Sequence, residues 1–230
     1  MPVRRVNPTR TARAQRRSRR VRRWPSIVIG LTGSIAMGKS TAATLLKYLG
    51  IPIFDADAAV HVLMTANGKA TKSIARRFPA VVGPKGVDRK ALGAVVFADT
   101  RALKDLEAIV HPLVRGDREQ FLRQAALRRA PVVALDIPLL FEGKGQGMCD
   151  LVAVISAPAF LQRQRALARP AMTSARFEGI LARQWPDGRK RANADAVIPS
   201  GLGKRETLRR LKQFLTVAVF SRRRMGTPDA

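Results

Sequence analysis

Short apolar, β-branched runs recur at residues 27–31, 51–54, 132–135, 151–155 and 196–198. Stretches with apolar positions at helical spacing separate them, as in residues 40–49, where Ala42, Leu45, Leu46 and Leu49 share one face. Strands that alternate with helices predict an α/β fold built on a parallel sheet of about five strands. Two intervals are too long for a plain crossover. Residues 57–130 hold no strand-like run and several helical patterns, which predicts an inserted helical lobe. Residues 158–194 read as helical, dense in arginine and broken at Pro170 and Pro186, the form of a lid. A last helix over 204–221 is expected to pack back on the sheet. His111-Pro112 falls midway through a helical pattern, where proline is expected to break or kink the helix.

Composition changes this picture at one end. The 230 residues carry a formal net charge of +27, and residues 1–23 hold ten arginines and no acidic residue. This arm ends at Trp24-Pro25, before the first strand, and is expected to be disordered. It admits three uses: a tether for nucleic acid or an anionic surface, an organellar transit segment, or an extension without function, the last being favoured. It has no apolar core of a secretory signal. Elsewhere the surplus either attracts polyanionic substrates or reflects arginine as the default surface residue, since Arg makes up 32 of the 43 basic residues. No run of about 18 apolar residues exists to span a membrane. The single Cys149 has no partner for an internal disulfide, which fits a reducing cytoplasm, and reads as a small core residue. With two His and one Cys, no zinc-type ligand set is available.

The chemistry is carried first by Gly33-Ser34-Ile35-Ala36-Met37-Gly38-Lys39-Ser40-Thr41, which fits the phosphate-binding pattern G-x-x-x-x-G-K-[ST] between a strand and a helix. In that setting backbone N–H groups and the positive end of the helix meet phosphate oxygens. Lys39 reaches the β- and γ-phosphates, and the Ser40 hydroxyl ligates Mg²⁺. Asp55 and Asp57 follow the second strand, at the carboxyl edge of the sheet where ligands bind. Asp57 is assigned the catalytic role towards an acceptor hydroxyl and Asp55 a supporting or metal-shell role; capping of the next helix is the alternative use of either. Residues 132–135 lead into Asp136, placed to hold Mg²⁺ through water, or else to cap a loop. Ile137 stands where hydrolytic motor ATPases place a water-activating Glu, which favours transfer to a substrate. Arg163, Arg165 and Arg169 lie on the lid; they either clamp the γ-phosphate or form a solvated basic face. His61 and His111 read as structural.

Taken in order, the loop, Asp55-Ala56-Asp57, Ile109-Val110-His111-Pro112-Leu113, Asp136-Ile137-Pro138-Leu139-Leu140-Phe141-Glu142 and the Arg165…Arg169 pair closely resemble the dephospho-CoA kinase family over about residues 27–215. Arg169-Pro170-Ala171-Met172-Thr173 and Ile180-Leu181-Ala182-Arg183-Gln184 are also family-like. The resemblance implies a three-layer P-loop kinase fold with core segments 26–57, 131–157 and 195–221, a CoA-binding helical lobe at 58–130 and a lid at 158–194. Residues 1–25 and 222–230 are left as basic ends. It implies ATP and Mg²⁺ as cofactors and transfer of phosphate to the ribose 3′-hydroxyl of dephospho-CoA. It also implies a cytoplasmic enzyme, monomeric or weakly self-associating, with no required nucleic-acid or membrane partner. By position, Asp57 matches the acidic residue acting on that hydroxyl and Arg165 a lid arginine. Ala36, Met37, Gly38, Lys39, Ser40 and Thr41 match the ATP-binding stretch, with Gly33 opening it and Arg169 beside it.

The chain departs from the family at Ala36, commonly Gly, where a positive φ would cost about 1 kcal/mol or more. It departs again at Ile198-Pro199-Ser200-Gly201, where Asn often precedes the Gly. The rival readings are a nucleoside monophosphate or shikimate kinase and a nucleic-acid-binding NTPase. A long helical insertion favours a large acceptor, and sparse aromatic residues disfavour base stacking. A GTPase would need an [Asn/Thr]-Lys-x-Asp segment, which the chain lacks.

Overall fold

The computed structural model describes residues 24–225, with side chains to residue 219. Residues 1–23 of the expected basic arm and 226–230 of the tail lie outside the described residues. Five strands form one sheet in the order β2-β5-β1-β6-β7, from β1 (Ile27–Thr32), β2 (Ile53–Asp55), β5 (Val132–Asp136), β6 (Leu151–Ser156) and β7 (Ala196–Pro199). All five are the expected runs. The central strand β1 pairs in parallel with β5 and β6, and β6 with β7. A central parallel strand is covered on both faces, and all six residues of β1 are buried.

The described residues divide into two compact units: residues 24–53 with 125–225, and Phe54–Gln124. In the first, helix α1 (Lys39–Tyr48) lays Ala42, Ala43 and Leu46 against Ile27, Ile29 and Leu31 of β1. The last helix, α9 (Lys204–Met225), adds Leu211 to the same core beside Ile198 of β7 and runs on past the expected end at residue 221. Cys149 is buried, its Sγ beside Gly30, as its composition-based reading required. Three short helices lie between β6 and β7: α6 (Ala159–Leu167), α7 (Ser174–Ala182) and α8 (Asp187–Asn193). They occupy the expected lid segment. Among the described residues no helix is long and apolar enough to cross a membrane.

The second unit holds α2 (Ala56–Leu63), α3 (Thr71–Arg77), α4 (Arg89–Ala98) and most of α5 (Thr100–Leu127). Its own core joins Leu63, Ile74, Phe78, Leu92, Val96, Ala102 and Val110. One expectation fails here and another is narrowed. A two-stranded antiparallel hairpin, β3 (Val82–Gly83) and β4 (Gly86–Val87), sits where no strand was expected. Strands of two residues are too short to leave an alternating pattern; their signal is the Gly83-Pro84-Lys85-Gly86 turn. Helix α5 continues through Pro112, so of the expected break or kink the break does not occur. Both His111 and Pro112 are exposed, so the turn there has solvent for the carbonyl that proline leaves without its hydrogen bond. His111 is therefore not a core histidine, and His61 is exposed on α2, with Nδ1 3.2 Å from the Arg89 guanidinium.

Candidate functional site: the phosphate loop and its braces

The loop between β1 and α1 turns sharply at Gly33, which passes so close to β6 that a Cβ there would stand 2.7 Å from the Ile155 carbonyl oxygen. At its far end Gly38 has φ 88° and serves as N-cap of α1 without any side-chain cap. A left-handed cap without a capping side chain leaves the first-turn N–H groups of α1 free of intrahelical partners, pointing out of the helix end. Ser40 is exposed and Thr41 half-buried in that same turn. Ala36 does adopt a positive φ, 60°, and its methyl is buried against Ala166 of α6 and Phe177 of α7. The extra carbon that strains the backbone thus gains an apolar contact.

Parallel pairing of β1 with β5 sets Asp136 in register with Leu31, at the carboxyl edge where the loop begins. There Lys39 Nζ donates to Asp136 Oδ1 at 2.6 Å, and the carboxylate side chain is 5% exposed. The strand after that edge supplies a further contact. Ser200, just past β7, donates from Oγ to the Met37 carbonyl at 2.6 Å, and Arg165 of α6 donates to both the Ser200 hydroxyl and carbonyl at 3.1 and 2.9 Å. A Cβ at Gly38 would lie 2.9 Å from Ser200 Oγ and 3.7 Å from the Arg165 guanidinium. Arg165 therefore stands at the phosphate loop. Met37 is buried, and its Sδ accepts the Ala157 N–H at 3.1 Å, tying the loop to the end of β6.

The other arginines are placed differently. Arg163 is turned onto α7, donating to Glu178 Oε1 and Ser174 Oγ and lying over the Phe177 ring. Arg169 is exposed just beyond α6. Asp55 and Asp57 lie in the second unit. The Asp55 carboxylate accepts the Ala58 N–H at 2.9 Å and so caps α2, the alternative use considered for it. Asp57 is exposed in the first turn of α2, with no such duty.

The segment between β6 and β7 is fastened by a buried ion pair that the sequence does not predict. Lys190 of α8 is fully buried and meets Glu142 Oε1 at 2.9 Å; the same carboxylate oxygen accepts the Trp185 N–H at 2.7 Å. Phe141 stacks on Trp185 with ring centroids 5.6 Å apart, and Arg189 covers the indole at 3.6 Å. Burial pushes the Glu142 carboxyl up, but the hydrogen bonds from Lys190 and Trp185 outweigh it and hold the group below its ordinary value. Asp187, at the start of α8, accepts the Ser156 hydroxyl at 2.8 Å. Glu142 stood within a family-like segment, yet the sequence offers no signal for its partner, 48 positions away. Ser200 had one: it follows a parallel strand at the sheet's carboxyl edge.

Such a loop, with a basic side chain, a carboxylate and an arginine around a bare helix end, is built for a polyphosphate. The family model described as dephospho-CoA kinase matches residues 27–203. A dephospho-CoA kinase of Paramagnetospirillum magneticum is 58% identical over 164 residues, covering 71% of this chain and 77% of that protein. One from Rhodospirillum rubrum is 54% identical over 193 residues, covering 84% and 92%. Among solved structures, a Thermus thermophilus protein aligns with TM-score 0.76 and 35% identity over 84% of this chain and 97% of that one. Dephospho-CoA kinase from Campylobacter jejuni aligns with TM-score 0.62 and 25% identity over 81% and 96%. The chain, a kinase on a P-loop scaffold that uses ATP, belongs to the dephospho-CoA kinase family.

Proposed function

We propose that this chain transfers the γ-phosphate of ATP to the ribose 3′-hydroxyl of dephospho-CoA, giving coenzyme A and ADP. The observation that carries the reading is the braced phosphate loop, with Lys39, Asp136 and Arg165 gathered at its mouth. First-turn N–H groups of α1 bind the phosphates, and Lys39 exchanges Asp136 for phosphate oxygens, so its charge keeps a partner in both states. Ser40 and Asp136 supply one hydroxyl and one carboxylate, a set that suits a small hard cation completing its shell with phosphate and water oxygens. They would hold Mg²⁺, which neutralises charge on the β- and γ-oxygens when bound. Arg165 and Arg169 offer guanidinium groups to the charge that spreads over the transferring phosphoryl.

Asp57 receives the proton of the acceptor hydroxyl. Asp55 Oδ1 caps α2, which supports giving Asp57 this part and leaves Asp55, through its second carboxylate oxygen, a supporting or metal-shell role. The helical unit Phe54–Gln124 serves as the acceptor lobe and residues 158–194 as the lid. Purified protein with ATP and Mg²⁺ is to be offered dephospho-CoA, AMP and shikimate in parallel. CoA and ADP form with the first alone; absence of turnover with dephospho-CoA at high enzyme concentration overturns the reading.

A further inference from the structure

Ile35 stands at the crest of the phosphate loop, and both of its backbone polar groups are committed to side chains from the lid segment. Its N–H donates to Gln184 Oε1 at 2.9 Å, and its carbonyl accepts Gln162 Nε2 at 2.8 Å. The backbone fixes the sense of each amide, because an N–H meets only an oxygen and a carbonyl only an N–H. Gln162 lies on α6 and is 6% exposed; Ala166, one turn further, packs on Ala36. Gln184 follows α7, whose Phe177 joins the same apolar cluster as Ala36. The lid segment thus grips two successive loop residues by two hydrogen bonds and an apolar socket.

The loop needs this grip. Its function is to present N–H groups outward, so few can be spent on holding its own shape. Within it only the Met37 N–H returns to the Ser34 carbonyl, at 3.2 Å. Ala36, next to the gripped peptide, sits in a left-handed conformation that an L-residue keeps only when its surroundings enforce it. We infer that Gln162 and Gln184 are positioning residues of the phosphate loop. Acting through the Ile35 peptide, they hold the crest in its phosphate-binding shape and make ATP affinity depend on how the lid segment is seated. The inference rests on the reading that this loop binds ATP.

The two sites differ in the chemistry they require, and that difference is the test. Position 184 needs an acceptor, position 162 a donor. In the full chain, Gln184→Ala and Gln162→Ala each raise the Kd for ATP roughly 5- to 30-fold by titration calorimetry. KM for ATP rises with it, while KM for the acceptor stays within about twofold. Gln184→Glu still accepts the Ile35 N–H and recovers most of the affinity lost in Gln184→Ala. Gln162→Glu has no donor, sets a carboxylate against the Ile35 carbonyl, and binds no better than Gln162→Ala. These near-isosteric Glu variants decide the matter where an alanine variant does not fold. ATP affinity unchanged in both alanine variants, or Glu tolerated equally at both positions, overturns the inference while leaving the ATP reading intact. A wild-type chain that binds no ATP overturns both.

Discussion

Replacing Lys190 with Met removes a fully buried ammonium while keeping most of its volume, and leaves Glu142 inside with the Trp185 N–H still donating to it. Breaking a buried pair from one side commonly costs about 3–5 kcal/mol. Here the carboxylate has an escape, because it can take up a proton. From the ordinary value of 4.5, neutralising it at pH 7 costs about 3.4 kcal/mol, which caps the electrostatic penalty; at pH 5 the cap falls to about 0.7 kcal/mol. The sign follows for both proteins. In the wild type the Glu142 pKa is lowered, so its contribution is complete above about 4.5 and is lost as pH falls through the folded value. In Lys190→Met the pKa is raised, so the variant is penalised increasingly as pH climbs above 4.5. The gap between the two therefore opens with rising pH. Thermal unfolding followed by circular dichroism reads it: Lys190→Met melts roughly 6–14 °C below wild type at pH 7 and less than about 3 °C below at pH 5. The double variant Lys190→Met/Glu142→Gln, with no charge left to bury, is more stable at pH 7 than Lys190→Met. A gap that does not change with pH, or a double variant no better than the single one, refutes the reasoning.

Asp57→Asn keeps the phosphate loop intact, so ATP binding measured by calorimetry is retained while kcat falls roughly 10²- to 10⁴-fold; equal loss of ATP affinity contradicts the part given to Asp57. Ala36→Gly relieves about 1–2 kcal/mol of left-handed strain and gives up about 0.8 kcal/mol of methyl burial. Denaturant titration therefore places it within about 1 kcal/mol of wild type, and a loss above about 2 kcal/mol shows that the methyl contact dominates.

Much of the frame is local and therefore legible. Five β-branched runs marked the five strands of the sheet, since a buried parallel strand is apolar along its whole length. The phosphate loop was legible for a similar reason: its glycines, Lys39 and Ser40 are consecutive, and their chemistry depends on a backbone turn that the same residues dictate. The hairpin at 82–87 was not legible, having two residues per strand, and the break allowed for at Pro112 did not occur, because proline at an exposed helix position does not always end the helix. Between Asp55 and Asp57 the sequence left capping of the next helix open to either; helix geometry gives that cap to Asp55.

By itself the sequence determined that a parallel-sheet protein carries a phosphate loop, that a helical insertion follows its second strand, and that Ala36 is strained if its φ is positive, which the structure shows it to be. Only the tertiary structure decided what holds that loop. Gln162, Gln184, Arg165 and Ser200 reach it from 127 to 163 positions away in the chain, and Lys190 finds Glu142 across the β6 strand. No periodicity links such residues, because pairing at that range is set by strand order and by the packing of short helices on the sheet edge. A loop that must leave its own N–H groups open for phosphate has to be braced from elsewhere, and folding alone settles which side chains do it.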